Sequence, residues 1–163
     1  VTGALEGLLE SFRVVHQTGL SQGGANGADA REGYRAFPFI REEMPDVLAC
    51  ADIVVSRAGA NSVWECATAG KPMVLIPLEK GASRGDQVEN ADYFESKGAA
   101  IVLTGSDATS ANLLEALRRV SADGGLAKRM SESSAKLGQA RAAEAIAELI
   151  LARLDAVSAG RKG

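Results

Sequence analysis

Two stretches of the sequence gather residue types that can hold a phosphorylated, hydroxyl-rich ligand. The first is Ser56-Arg57-Ala58-Gly59-Ala60-Asn61-Ser62, which runs into a helical pattern carrying Glu65. Small side chains let a phosphate approach the backbone, and the free amides and positive dipole at a helix start favour an anion. A diphosphate can dock at such a place. Ser62-x-x-Glu65 also fits a capping box, in which the carboxylate merely reaches back to backbone amides; spacing alone leaves both readings open. The second stretch follows Pro77 and ends in Asp86, Gln87 and Asn90. Helical spacing puts Asp86 and Asn90 on one face with Gln87 beside them, a polar set able to read the hydroxyls of a sugar. Its alternative is a helix-start charge at Asp86 with solvated neighbours. No Asp-x-Asp pair occurs anywhere in the chain, so the usual carboxylate site for a divalent ion on a nucleotide diphosphate is missing; neither a metal nor an organic cofactor is expected.

Other chemistry-bearing residues read as structural. His16, the single histidine, has no nucleophile or carboxylate nearby in sequence and is expected to be a strand-end residue held by hydrogen bonds. Trp64 is expected to pack rather than stack on a base. Cys50 and Cys66 lack metal-ligand spacing and are expected to be buried, reduced thiols. Gly23-Gly24-Ala25-Asn26-Gly27 does not match the dinucleotide fingerprint and reads as a loop within Ser21 to Asp29.

The loops that carry the chemistry need strand ends to hold them. Asp52 to Ser56 and Met73 to Pro77 are continuous apolar runs, the pattern of strands covered on both faces in a parallel sheet. Between them Asn61 to Ala69 reads as a helix with an amide cap at its start and Gly70 and Pro72 at its end. Earlier come an opening helix through Leu5, Leu8, Leu9 and Phe12, a strand from Phe12 to His16, a strand from Tyr34 that stops near residue 37 ahead of Pro38, and a helix from Met44 to Ala51. Later come a helix from Gly85 to Lys97, a strand from Ala99 to Leu103, and helices over Ala108 to Val120, Leu126 to Leu137 and Ala140 to Val157. Strands alternating with helices indicate an α/β, Rossmann-like doubly wound parallel sheet, with ligands beyond the carboxyl ends of its strands.

Composition narrows the function classes. The 163 residues suffice for one domain, and a formal charge of −3 gives no global attraction for nucleic acid or anionic lipid. Aromatic residues at 4% are too few for a base-stacking platform. No apolar run reaches the roughly 20 residues of a membrane span and no basic-then-apolar signal opens the chain, so a cytoplasmic setting is expected. The chain opens at Val1, without methionine, partway into a helix, and is read as a piece of a longer chain.

The two loops belong to a longer ordered pattern: His16-Gln17-Thr18-Gly19, Met44-Pro45-Asp46-Val47-Leu48, Ala51 through Ala60, Glu65, Gly70-Lys71-Pro72, Leu75-Ile76-Pro77, Asp86-Gln87-x-x-Asn90-Ala91 and Gly98-Ala99-Ala100. This pattern, over nearly the whole chain, resembles the carboxyl-terminal half of the MurG family of bacterial N-acetylglucosaminyltransferases. The resemblance implies the donor-binding domain, residues 1–163, of a two-domain GT-B enzyme that moves N-acetylglucosamine from UDP-N-acetylglucosamine to the lipid-linked muramyl-pentapeptide precursor of peptidoglycan, inverting and without metal. It implies that Glu65 accepts from the ribose hydroxyls, that Ala60, Asn61 and Ser62 meet the nucleotide and diphosphate, that the Ile40 backbone reads uracil, and that Asp86, Gln87 and Asn90 face the sugar. Many relatives have Gln where this chain has Asp86. The resemblance further implies an amino-terminal domain holding the acceptor and the general base, and, ahead of Val1, a first strand with a Gly-Gly-Ser-type phosphate loop. The full-length protein would sit peripherally on the inner face of the plasma membrane, and this piece would bind donor without transferring sugar. Two alternatives remain open on sequence: a non-catalytic nucleotide-sugar-binding subunit needing a separate partner chain, and a Rossmann-like interaction domain without a ligand.

Overall fold

A computed structural model describes residues 2–19, 31–78, 85–139 and 147–154. The loop expected from Ser21 to Asp29, the Glu79 to Arg84 stretch, and both ends of the helix expected from Ala140 to Val157 lie outside the described residues; 147–154 is helical. The elements in order are α1 (Leu5–Leu9), β1 (Val14–Gln17), β2 (Tyr34–Phe37), α2 (Met44–Cys50), β3 (Val54–Ser56), α3 (Ala60–Thr68), β4 (Met73–Leu75), α4 (Asp86–Ser96), β5 (Ala100–Val102), α5 (Ser110–Ala122) and α6 (Gly124–Gly138).

Every strand pair is parallel. β1 pairs with β2, Val14 opposite Tyr34, and β4 lies between β3 and β5, with Met73 opposite Val54 and Ala100. Both faces of β4 are covered, which is why its residues read as an unbroken apolar run: Met73 and Leu75 face one cluster with Val63, Cys66, Ala67, Ala91 and Phe94, while Val74 faces another with Leu8, Leu113 and Leu117. Val14 of β1 and Val55 of β3 pack against this second cluster. The five strands form two ladders, β1-β2 and β3-β4-β5.

Several boundaries differ from expectation for local reasons. Asp52 and Ile53 precede β3 because the neighbouring strand is entered through Pro72, which has no N–H to extend the ladder; its carbonyl accepts from the Val54 N–H at 3.0 Å. Phe12 belongs to the turn that ends α1, its N–H donating to the Leu8 carbonyl at 2.8 Å, so β1 starts at Val14. Thr109 and Asp123 set the starts of α5 and α6: their side chains accept from the Asn112 and Leu126 N–H groups at 3.1 and 2.9 Å. Cys66 is buried as expected, whereas Cys50 is exposed. Cys50 ends a short helix that buries only Leu48, which leaves its last turn in solvent.

Candidate functional site

The bend between β3 and α3 is built by Ala58, the one non-glycine residue with positive φ among the described residues (φ 63°), fully buried at 0% exposure. Gly59 follows in extended conformation and is the N-cap of α3, with no side chain closing the helix start. The expected amide cap is therefore absent: Asn61 is the second residue of the helix and Ser62 the third, so Ser62 and Glu65 do not form a capping box. The first intrahelical bond runs from the Val63 N–H to the Gly59 carbonyl at 3.0 Å, so helix geometry leaves the N–H groups of Ala60, Asn61 and Ser62 without an acceptor. All three residues are exposed, as is Glu65. No side-chain hydrogen bond or ion pair engages the Glu65 carboxylate among the described residues, leaving it available to a ligand.

Helix α4 reaches both neighbouring strand ends. Asn90 Nδ2 donates to the Ala58 carbonyl at 3.1 Å, and Gln87 Oε1 accepts from the Leu78 N–H at 3.1 Å. Neither is a solvated surface group; both are partly buried. Asp86 is the first residue of α4, exposed, after Gly85 in the left-handed conformation (φ 90°). A carboxylate there suits the positive end of the helix.

Ile40 lies three residues beyond the end of β2, outside the ladder. It is buried, and its N–H donates to Gln17 Oε1 at 2.8 Å. Thr18 also donates its N–H to the Phe37 carbonyl at 2.8 Å, so the ends of β1 and β2 are laced together. The structure thus ties Asn90 to the bend just before Ala60, Asn61 and Ser62 and Gln87 to Leu78 beyond the end of β4, leaves Glu65 further along α3, and holds Ile40 at the ends of β1 and β2. Sequence reasoning missed the clasp of Gln17 on Ile40 and the strained Ala58. The first had a signal in the strand-end His16-Gln17-Thr18-Gly19; the second had none, because alanine rarely takes this conformation.

His16 has the expected structural role: Nδ1 lies 2.9 Å from the Tyr34 hydroxyl. Burial lowers its pKa below 6.5, which keeps it mainly neutral at pH 7. Trp64 is partly exposed yet packs edge-on against Phe94, ring centroids 5.3 Å apart. A surface depression along α5, lined by Ala111, Leu114, Glu115, Arg118, Arg119 and Ala122, contains none of the site residues. No helix among the described residues is long and apolar enough to cross a membrane.

The fold defines the class. Parallel strands layered between helices place this chain with the GT-B glycosyltransferases: it superimposes on Acinetobacter baumannii MurG with a TM-score of 0.70 at 29% identity, covering 91% of this chain and 43% of that one. A glycosyltransferase of kitacinnamycin shares the fold, with a TM-score of 0.66 at 24% identity over 90% of this chain and 39% of that one. Residues 2–149 match the glycosyltransferase family 28 C-terminal domain, and the chain belongs to that family. A curated relative from Treponema denticola, UDP-N-acetylglucosamine--N-acetylmuramyl-(pentapeptide) pyrophosphoryl-undecaprenol N-acetylglucosamine transferase, is 42% identical over 92% of this chain and 42% of its own length. Its counterpart from Treponema pallidum is 48% identical over 68% of this chain and 30% of its own. The chain spans less than half the length of these relatives.

Proposed function

We propose that this chain is the donor-binding half of a transferase that moves N-acetylglucosamine from UDP-N-acetylglucosamine to the lipid-linked muramyl-pentapeptide precursor of peptidoglycan. The observation that carries the reading is the uncapped, exposed start of α3 with the unpaired Glu65 further along the same helix. Its three free amides meet the diphosphate and stabilise the negative charge that grows on UDP as it leaves. Glu65 accepts from the ribose hydroxyls, the Ile40 backbone reads uracil, and Asp86 stands on the sugar side with Gln87. Reaction is an inverting displacement at the anomeric carbon without metal, a reading supported by the lack of an Asp-x-Asp pair. The acceptor site and the base that takes the acceptor's proton belong to the other part of the longer protein, which works peripherally at the cytoplasmic face of the membrane. Relatives carry this domain within one longer chain, which favours a transferase over a separate binding subunit.

Titration with UDP, UDP-N-acetylglucosamine and NAD tests the reading: the two uridine ligands bind and NAD does not. Glu65→Ala removes charged hydrogen bonds worth about 1.5–3 kcal/mol, a loss of roughly tenfold or more in UDP affinity. Because Glu65 is exposed and unpaired, its melting temperature stays at the parent value. Unchanged UDP binding in a folded Glu65→Ala variant refutes the assignment.

A further inference from the structure

The amides at the start of α3 can converge on a ligand only if the bend before them keeps its shape. That bend rests on Ala58, whose left-handed φ of 63° is disfavoured for any residue with a Cβ. Two restraints act on it. Its methyl group is packed in the core with Val63, Leu75 and Ala91, and its carbonyl accepts the 3.1 Å hydrogen bond from Asn90 Nδ2. The second restraint acts on the peptide plane between Ala58 and Gly59, the last plane before the N-cap. Its orientation sets the direction in which the Ala60, Asn61 and Ser62 N–H groups point. One turn earlier on α4, Gln87 holds the Leu78 N–H at the end of the adjacent strand, so the helix bearing Asn90 is itself anchored beside the site.

We propose that Asn90 is a positioning residue for the diphosphate cradle: through the Ala58 carbonyl it holds the left-handed bend that aims the first amides of α3, instead of bonding the sugar. This rests on the reading of the α3 start as the diphosphate site. The bond needs an N–H donor facing a carbonyl oxygen, so Asn90→Asp keeps the shape, removes the donor and sets a carboxylate against that oxygen. Glycine takes positive φ without a steric penalty, so Ala58→Gly makes the bend less dependent on the clasp.

The test is an NMR titration of the chain and its Asn90→Ala, Asn90→Asp, Ala58→Gly and Ala58→Gly/Asn90→Ala variants with uridine, UDP and UDP-N-acetylglucosamine, with a melting curve for each variant. Both Asn90 substitutions are expected to weaken UDP and UDP-N-acetylglucosamine by the same factor, about tenfold, while uridine binding is unchanged. In the Ala58→Gly background the Asn90→Ala loss shrinks to about threefold or less. A loss confined to UDP-N-acetylglucosamine, with UDP unaffected, assigns Asn90 to the sugar and overturns the proposal. An undiminished loss in the Ala58→Gly background overturns it too, since Asn90 would then act by another route. If Asn90→Ala does not fold, Asn90→Asp decides on the same outcomes. Failure of the parent chain to bind UDP removes the proposed function and this inference together, whereas parent binding with unaffected Asn90 variants removes the inference alone.

Discussion

Replacing Gly138 by alanine tests how closely α6 is set against the helix that carries Glu65. A Cβ built on Gly138 collides with the main-chain carbon and oxygen of Ala67 and the nitrogen of Thr68. These are backbone atoms in the last turn of α3, so no side-chain rotation relieves the overlap; one helix must shift. The spacing between the helices is fixed nearby by the Ser131 hydroxyl, which donates to the Gly70 carbonyl at 2.7 Å. Overpacking of a tight contact costs about 1–3 kcal/mol, and the rigidity of these neighbours puts this case at the upper end. Alanine's better helix propensity returns up to about 1 kcal/mol. The net loss is about 1–2 kcal/mol, and at about 2–4 °C per kcal/mol for a chain of this size the melting temperature falls by about 2–8 °C. Gly124→Ala is the control: it lies at the first residue of the same helix, where a Cβ meets nothing within 4 Å, and it leaves stability level or slightly raised. Thermal and urea unfolding of the two variants beside the parent measures the difference. A Gly138→Ala protein as stable as Gly124→Ala refutes the close approach of α6 and α3.

Two further outcomes follow from buried groups. Ser134 is fully buried on α6 and its hydroxyl has no hydrogen-bond partner among the described residues, so Ser134→Ala raises stability by about 1 kcal/mol, read as a higher urea midpoint at unchanged slope. Burial pushes the Cys66 thiol up to about 11 while Cys50 is exposed, so at pH 8 a thiol reagent labels one cysteine per native chain quickly and the second only on unfolding; mass spectrometry of the labelled peptides identifies each.

The parallel α/β arrangement was legible because both of its signals are local. The apolar runs at Val54 and Met73 reflect coverage of both faces, and Gly70, Pro72 and Gly98 mark where helices end. The split into two ladders was not, because which strand edges meet depends on contacts far apart in sequence. At the site, the pattern Ser56 to Ser62 gave the place of the anion-binding helix start but misplaced its cap by two residues. Nothing local distinguishes Asn61 from Gly59 as N-cap; the distinction comes from the left-handed bend at Ala58 and its clasp by Asn90. Asn90 and Gln87 read as sugar-facing or solvated polar groups because a hydrogen bond to main chain from a distant helix leaves no trace in spacing.

The two ladders carry a consequence for how the chain behaves in company. Among the described residues, β4 alone has a ladder neighbour on both sides, and β1, β2, β3 and β5 each have one on one side only, so each of these edges presents a row of main-chain donors and acceptors with no ladder partner. Such rows template the addition of another extended segment, and a crowded solution supplies one readily in the form of a second molecule. Pairing or covering such a row removes a surface on which copies can stick to one another.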